Sequence, residues 1–206
     1  MSTSNNMSGN TIRLVVGLGN PGRKYQHNRH NIGEMLLHYL PFSRELSWQG
    51  KFKGVISSWV IKGERVYFLF PQTYMNLSGE SVIAAATFYG IDTGEILVIH
   101  DELDLPFGQL MFKQGGGLAG HNGLRSIAEH FGAQNFFRLR LGISRPEHPS
   151  FDVADWVLSN FSGDDEIKLK LFLEKAAEAL VCFFEHGMGK ASSLYNKKDL
   201  VDQESR

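Results

Sequence analysis

Short, continuous runs of apolar and β-branched residues alternate along this chain with segments whose apolar residues recur every three or four positions. The runs TIRLVVGLG (11–19) and EILVIHD (95–101) are too short for typical buried helices, and they end in glycine or in polar residues. Such runs are typical of strands buried on both faces of a sheet, with helices packed against those faces. The alternation therefore predicts one α/β domain, a twisted mixed β-sheet flanked by helices.

The remaining elements follow from the same two periodicities. Strands are predicted within 53–71, where two join near Lys62-Gly63, and at 109–114 and 137–143. Helices are predicted over 31–40, 78–89, 121–131 and 164–185, the second ended by Gly90 and the last by Gly187. Ser162 and Asp165 resemble a capping box at the start of the last helix.

Length and composition set the class of protein. A chain of 206 residues favours one domain, which we expect over 11–196 between a polar N-terminal tail, 1–10, and a polar C-terminal tail, 197–206. The single cysteine, Cys182, excludes an intramolecular disulfide. Because the N-terminus lacks a signal-peptide pattern and no apolar run reaches the roughly 18 residues of a membrane helix, we expect a cytoplasmic protein without membrane contact. No apolar stripe is left over for a partner, which favours a monomer.

The charge of the chain is unevenly distributed. Its formal net charge is −1, yet residues 105–145 carry five lysine and arginine side chains against one acid, Glu129. A basic segment inside a nearly neutral chain is compatible with a polyanionic partner such as nucleic acid, and equally with solvated arginines that have no partner.

Unusual polar residues follow the predicted strands. Asn20 and His30 come after the first strand, Asn76 after the strand ending near Phe70, and His100 with Asp101 at the end of the strand at 95–101. His121 and Asn122 follow the strand at 109–114. Ligands of open α/β sheets bind at the carboxyl ends of strands, so these residues are expected on one rim.

Two glycine-rich motifs invite a phosphate-binding interpretation. The segment from Gly17 to Gly22 matches G-x-G-x-x-G, but Pro21 interrupts it and no acidic residue follows at the distance that a dinucleotide site requires. Its glycines better serve a tight turn that presents Asn20. The glycine-rich loop, residues 115–120, leads into a helix but lacks the G-K-[ST] ending of a Walker A motif. It is either an anion-binding loop or a flexible hairpin or lid.

The sequence offers no metal-ligand spacing and no serine nucleophile motif, because H-E-x-x-H, C-x-x-C and G-x-S-x-G are absent and the eight histidines are scattered. We therefore expect no metal. His30 and Asp101 remain as a pair that can activate water, since a carboxylate fixes the tautomer of the imidazole and stabilises its protonated form.

Four longer motifs carry more information than any single residue. They are VGLGNPGRKYQHNRHNIG (16–33), PQTYMNLSGE (71–80), HDELDLPFG (100–108) and GGGLAGHNGLRSI (115–127). Together, and in this order, they resemble the bacterial-type peptidyl-tRNA hydrolases, from about Ile12 to Tyr195. The resemblance implies hydrolysis of the ester that joins a peptide to the 3′ ribose of tRNA. The reaction recycles tRNA from prematurely released peptidyl-tRNA and needs no metal or other cofactor.

The resemblance also implies roles for individual residues. His30 falls on the catalytic base, Asp101 on its partner, and Asn20 on the asparagine that distinguishes blocked from free aminoacyl-tRNA. Asn76 and Asn122 match positions that hold substrate and water. We expect their neighbours Met75 and His121 to contact the substrate too. Tyr25 and Tyr74 match positions that contact the 3′ end of tRNA, and Lys113 and Arg140 match positions that contact its phosphates. Arg138 lies two residues before Arg140, so both side chains project from the same face of the strand. We therefore expect Arg138 to contact phosphates as well.

Three positions differ from the family pattern: Leu118 replaces a frequent histidine, Asn28 a threonine or serine, and Met111 a basic residue. None removes a proposed catalytic group. Two other functions stay open on the residues alone. One is RNA binding without chemistry. The presence of the polar residues Asn20, His30, Asn76, Asp101 and Asn122 argues against it. The other is hydrolysis of small acyl esters, against which the basic segment is a weaker argument.

Overall fold

The computed structural model describes residues 11–148 and 150–202, so the predicted tail 1–10 and the last four residues of the predicted C-terminal tail lie outside the described residues. Along the chain the elements are β1 (Leu14–Gly17), α1 (Ile32–Leu37), β2 (Gln49–Lys51), β3 (Gly54–Ile61), β4 (Glu64–Pro71), α2 (Ser78–Tyr89), β5 (Ile96–Glu102), β6 (Leu110–Gln114), α3 (Asn122–Phe131), β7 (Phe137–Gly142), α4 (Val153–Leu158) and α5 (Asp164–Tyr195). Short 3₁₀ turns at Arg29–Asn31 and Met75–Leu77 precede α1 and α2.

The seven strands form one mixed sheet in the order β2-β3-β4-β1-β5-β7-β6. The four central strands β4, β1, β5 and β7 are parallel, whereas β2, β3 and β6 pair antiparallel at the two sides. The carboxyl ends of the parallel strands therefore meet at one edge, where chain reversals place the polar segments of the sequence.

The alternation of side chains along the central strands divides the core into two layers. Val15 of β1 and Leu97 and Ile99 of β5 pack with α1 and α5, while Val16 and Val98 face α2 and α3. Because successive residues of a strand point to opposite faces, both faces of the central strands are apolar and buried. This explains why their sequences read as continuous apolar runs.

The predicted mixed α/β architecture and each predicted strand and helix are confirmed, but the account of α5 was wrong in two ways. Gly187 has φ 80° and ψ 171°, which breaks the helix there, yet the helix resumes and continues to Tyr195. Gly163, and not Ser162, is the N-cap, and no side chain caps this end. The strand β2 and the helix α4 were not predicted, because each is very short and mostly exposed.

A close approach between α1 and the sheet positions the segment that carries His30. A Cβ atom on Gly33 would collide with the carbonyl oxygen of Ile99 in β5, so only glycine allows the backbones to approach this closely. The 3₁₀ turn Arg29–Asn31 is thereby held against the carboxyl end of β5.

The outer edge of β6 is covered by the segment after α5. The Asn196 side chain pairs with the backbone of Phe112, accepting from its N–H at 2.8 Å and donating to its carbonyl at 3.3 Å. Leu200 and Val201 are buried against the core. These two hydrogen bonds occupy backbone groups on the edge of β6 that could otherwise pair with a strand of another chain. Within the described ranges, no helix combines the length and apolar character needed to cross a membrane.

Candidate active site

Three polar side chains meet at the carboxyl edge of the sheet and form what we call the histidine–aspartate cluster: His30, Asp101 and His121. His30 comes from the turn before α1, Asp101 from the end of β5 and His121 from the residue before α3. The His30 Nδ1 and the His121 Nε2 lie 2.8 and 2.9 Å from the same Asp101 oxygen, Oδ1. The predicted pair of His30 and Asp101 is thus in direct contact.

The bond from His30 determines which of its nitrogens can act as a base. An ionised carboxylate only accepts hydrogen bonds, so Nδ1 carries a proton, and in the neutral ring Nε2 has the lone pair. Burial opposes the ionisation of Asp101, but His30 and His121 outweigh it and hold the pKa of this carboxyl well below its usual range. Asp101 is therefore an anion at neutral pH, and it fixes the tautomer of His30.

His121 is held in the opposite tautomer by the helix that follows it. It is the N-cap of α3, where its Nδ1 accepts the N–H groups of Gly123 and Leu124 at 3.1 and 3.4 Å. The proton must then sit on Nε2, which donates to Asp101. One ligand atom from each member of the cluster lies within 4.8 Å of the others, close enough to hold a metal ion. However, both ring nitrogens of His121 are used, Nε2 by Asp101 and Nδ1 by the N–H groups of α3, so His121 could bind a metal only by giving up one of these contacts.

A third histidine, His100, lies beneath the cluster. Its Nδ1 donates to the carbonyl oxygen of Asp101 at 2.7 Å, and its ring meets that of His121 edge-on at 5.0 Å. Its buried Nε2 has no partner among the described residues. Burial, and then the neighbouring His121, hold the pKa of His100 well below its usual range, so this ring is neutral.

An amide network fixes Asn20 beside the cluster. Asn31 accepts the N–H of Asn20 at 3.0 Å and donates to its carbonyl at 2.9 Å, which locks the turn after β1. The Asn20 Oδ1 accepts the N–H of Met75 at 2.8 Å. Because the side-chain oxygen is occupied in this way, the Asn20 amide is oriented and its NH₂ group stays available to a ligand.

A cavity of about 290 Å³ opens onto the cluster, and its far wall is α4. Its lining includes His30, Asp101, Asn122 and, from α4, Val153 and Val157. Arg29, in the turn before α1, contacts α4 and the residue that follows it. The buried guanidinium lies 3.8 Å from the Trp156 ring and donates to Ser159 Oγ at 2.9 Å. The cavity beside His30 is thus lined by apolar side chains of α4 and by polar side chains from the edge of the sheet.

Of the other predicted binding residues, Asn122 lines this cavity, and Tyr25, Tyr74 and Asn76 are not part of its lining. Tyr74 is 57% exposed, Asn76 and Asn122 are also exposed, and Tyr25 is partly exposed. Lys24 Nζ lies 4.5 Å from the centre of the Tyr25 ring. Met75 is buried, and it reaches the site through its N–H group.

The basic surface, which we define as Lys113, Arg138 and Arg140, lies on the α3 face of β6 and β7. Lys113 pairs in register with Arg138, and the Arg140 Nε donates to Glu102 at 2.7 Å. Arg138 does not reach solvent as a phosphate contact would require. It is 2% exposed, and its guanidinium donates to carbonyl oxygens of the glycine-rich loop. The alternation of β7 places both arginines on one face, as predicted, but the loop covers Arg138.

Comparisons with known proteins identify the family. The family profile described as "Peptidyl-tRNA hydrolase" matches residues 14–203. The chain belongs to this family. It is 45% identical over 191 residues to the peptidyl-tRNA hydrolase of Geotalea daltonii, covering 92% of this chain and 99% of that protein. It is 47% identical over 188 residues to that of Haemophilus influenzae strain 86-028NP, covering 90% and 96%.

A solved structure of a peptidyl-tRNA hydrolase has the same fold. The crystal structure of the enzyme from Acinetobacter baumannii superposes with a TM-score of 0.80 at 34% identity, covering 92% of this chain and 98% of that one. The sequence analysis did not assign a role to three residues that shape the site: Asn31, Arg29 and Glu102. Asn31 and Arg29 flank His30 in the sequence, and their position beside a candidate catalytic histidine is the signal that could have found them.

Proposed function

We propose that this chain hydrolyses the ester bond between a peptide and the 3′ ribose of tRNA, with His30 as general base. The observation that carries the proposal is the bond from His30 Nδ1 to the ionised Asp101, which fixes Nε2 as the proton-accepting nitrogen of the neutral ring. His30 lines the cavity. A neutral imidazole in this tautomer can take a proton from water at neutral pH. The family membership supplies the substrate.

The reaction proceeds in two steps that need no covalent enzyme intermediate. In the first step, His30 Nε2 takes a proton from a water molecule while the water oxygen attacks the ester carbonyl carbon. The imidazolium formed is stabilised by Asp101. In the second step, the C–O bond to the ribose breaks, and the ribose oxygen leaves with the proton that His30 held. The products are a peptide acid and a tRNA with a free 3′ end, and His30 returns to its starting state.

Amide groups around the cavity would bind the substrate without adding charge. The Asn20 NH₂ group can donate to a peptide carbonyl, and Asn122 and Asn76 can donate to the oxyanion that develops during attack. One such donor typically contributes roughly 10²–10³ in rate. Because amides recognise backbone groups and not side chains, the site suits peptides of any sequence.

The tRNA would be held along the surface that continues from the cavity. Lys113 and Arg140 would contact phosphates, and Tyr25 and Tyr74 the nucleotides of the 3′ end. Every group invoked in the chemistry comes from one chain, which supports a monomer as the active form. Because peptidyl-tRNA arises in translation, we place the enzyme in the cytoplasm.

The decisive experiment is hydrolysis of an N-acetylated aminoacyl-tRNA, with the unacetylated form as control, in the presence of a chelator. The proposal predicts rapid cleavage of the acetylated form alone, loss of cleavage in His30→Ala, and no effect of the chelator. Absence of cleavage by a folded protein that still binds tRNA would instead support a non-catalytic RNA-binding function. Cleavage that requires added Zn²⁺ would contradict the metal-independent reaction.

A further inference from the structure

The helix α4 forms a wall of the cavity, although little of it is buried. None of its six residues is fully buried, and Val153 and Leu158 are 39% and 40% exposed. Trp156 and Val157 pack against the core and are partly buried. Most of the stability of a short helix comes from tertiary contacts, so the position of α4 depends on the few contacts that it makes.

Arg29 supplies several of these contacts from the turn that carries His30. Its guanidinium carbon lies 3.8 Å from the centre of the Trp156 ring. Its Nη1 donates to Ser159 Oγ at 2.9 Å and to the carbonyl of Asn160. Its main-chain N–H donates to the carbonyl of Ser159 at 2.9 Å. One residue thus contacts α4 and the two residues after it, and the next residue in the sequence is His30.

The surroundings of Arg29 are unfavourable for a positive charge. It is 2% exposed, and its Nε has no partner among the described residues. The carboxylate of Asp165 lies 3.5 Å from its Nη2 and is itself partly exposed. Burial lowers the pKa of Arg29, and Asp165 offsets this only in part.

Stability alone does not explain an arginine at such a place. Apolar side chains of similar volume often replace buried charges with no loss of stability, or with a gain. What an apolar side chain cannot replace is the planar group that donates in fixed directions while it stacks on an aromatic ring. The contacts of Arg29 with Trp156, Ser159 and Asn160 use both properties.

The cavity lies between the elements that Arg29 connects. Its lining includes His30, and Val153, Ala154 and Val157 of α4. Arg29 itself is not part of the lining. An ester bound in the cavity would lie between α4 and His30, and misplacement of reacting groups by about 1 Å can cost as much as 10² in rate. The separation of α4 from the turn that carries His30 is therefore important for the chemistry.

We propose that Arg29 is a positioning residue for the hydrolysis, which holds α4 at a fixed separation from His30 and so places the ester against the base. This inference rests on the proposed function for the reaction itself. Arg29 acts through α4 and the turn, since it does not reach the cavity. Its removal should therefore change the rate of the chemical step and leave RNA binding unchanged.

Arg29→Met tests the role, because methionine can lie against Trp156 but cannot donate a hydrogen bond. We expect kcat for N-acetyl-aminoacyl-tRNA to fall about tenfold with KM within about twofold. The Tm should stay within about 3 °C of wild type. A raised KM with unchanged kcat would overturn the proposal in favour of RNA binding, and a wild-type kcat would also overturn it. A large fall in Tm would assign Arg29 to the stability of the fold.

Two further variants control for the loss of charge. Arg29→Lys keeps a positive charge near Asp165 but has no planar group, so we expect it to restore little of the kcat lost in Arg29→Met. Full activity in Arg29→Lys would show that charge alone is needed and would contradict the proposal. Lys170→Met removes an exposed cation of α5 and should leave kcat and KM unchanged.

A double-mutant cycle tests whether the effect passes through α4. Trp156→Leu removes the ring on which Arg29 lies. If both residues act through the position of α4, kcat of the double variant should stay within about twofold of the lower single variant. Effects that multiply would mean that the two residues act independently, which would overturn the proposed coupling.

Hydrogen exchange tests the positioning without the enzymatic reaction. We expect the amides of α4 to exchange about tenfold faster in Arg29→Met than in wild type, with no change in β5. Unchanged exchange in α4 would contradict the proposal whatever the activity. A wild-type protein that cleaves no ester, but whose α4 exchanges faster in the variant, would refute the proposed function and confirm that Arg29 holds α4.

Discussion

The histidine–aspartate cluster and the basic surface lie at neighbouring strands, yet they balance their charges in different ways. In the cluster, one carboxylate accepts from two histidines, and His121 is held in place by the N–H groups at the start of α3. On the basic surface, only Arg140 has a carboxylate partner, while Arg138 and Lys113 have none among the described residues. Under the proposed function, the difference means that the groups for chemistry are all positioned by the folded chain, whereas we expect the charges of the basic surface to be balanced by phosphates of the substrate.

The largest expected effect is on the cluster. His30→Gln removes the base but keeps a polar side chain of similar size, so kcat for N-acetyl-aminoacyl-tRNA should fall by about 10²–10⁴. The KM should change little, because the basic surface is intact. Steady-state kinetics checks this, with circular dichroism as the control for folding. A raised KM with an unchanged kcat would contradict this prediction, because it would mean that His30 binds the substrate and does not act as the base.

The second member of the cluster should matter less. His121→Asn keeps a side chain that can cap α3 but loses the donor to Asp101, so we expect kcat to fall about tenfold. His121→Phe loses both functions and should also lower the thermal stability. Kinetics and thermal unfolding of the pair separate the two roles. If His121→Asn were as damaging as His30→Gln, His121 itself would be the base.

His100 links the cluster to the stability of the fold. Its folded pKa is lowered, so below the ordinary histidine pKa of about 6.5 the unfolded chain binds a proton that the folded chain does not. This group therefore makes the free energy of unfolding fall with decreasing pH, by up to about 1.4 kcal/mol per pH unit. Urea unfolding between pH 7 and pH 5 should show a shallower pH dependence in His100→Phe than in wild type. Identical dependences would contradict burial of a neutral His100.

The smallest expected effect is on the basic surface. Lys113→Ala removes an unpaired cation, so KM for the tRNA ester should rise by about threefold to tenfold at low salt with kcat retained. The slope of log KM against log salt should decrease by about one, as expected for one lost phosphate contact. A salt series on wild type and variant measures this. An unchanged slope would show that Lys113 does not contact a phosphate of the RNA.

The two regions also differ in how far sequence alone predicted them. The strand-end rule brought Asn20, His30 and Asp101 to one edge, because parallel strands end together whatever their loops do. It could not place His121 on Asp101, since that contact depends on the turn before α3. Nor could it show that Arg138 is covered, because alternation gives the face of a strand but not the loop that lies on it. The break at Gly187 was mistaken for an end because a glycine signals a stop equally in both cases.

The tautomers of His30 and His121 test the central claim most directly, because the account assigns them opposite protonated nitrogens on one carboxylate. Long-range ¹H–¹⁵N NMR spectra of the histidine side chains at neutral pH report which ring nitrogen carries the proton. The account predicts a protonated Nδ1 and an unprotonated Nε2 in His30, with the reverse pattern in His121. A protonated Nε2 in neutral His30 would contradict it, because the nitrogen at the cavity would then have no lone pair with which to activate water.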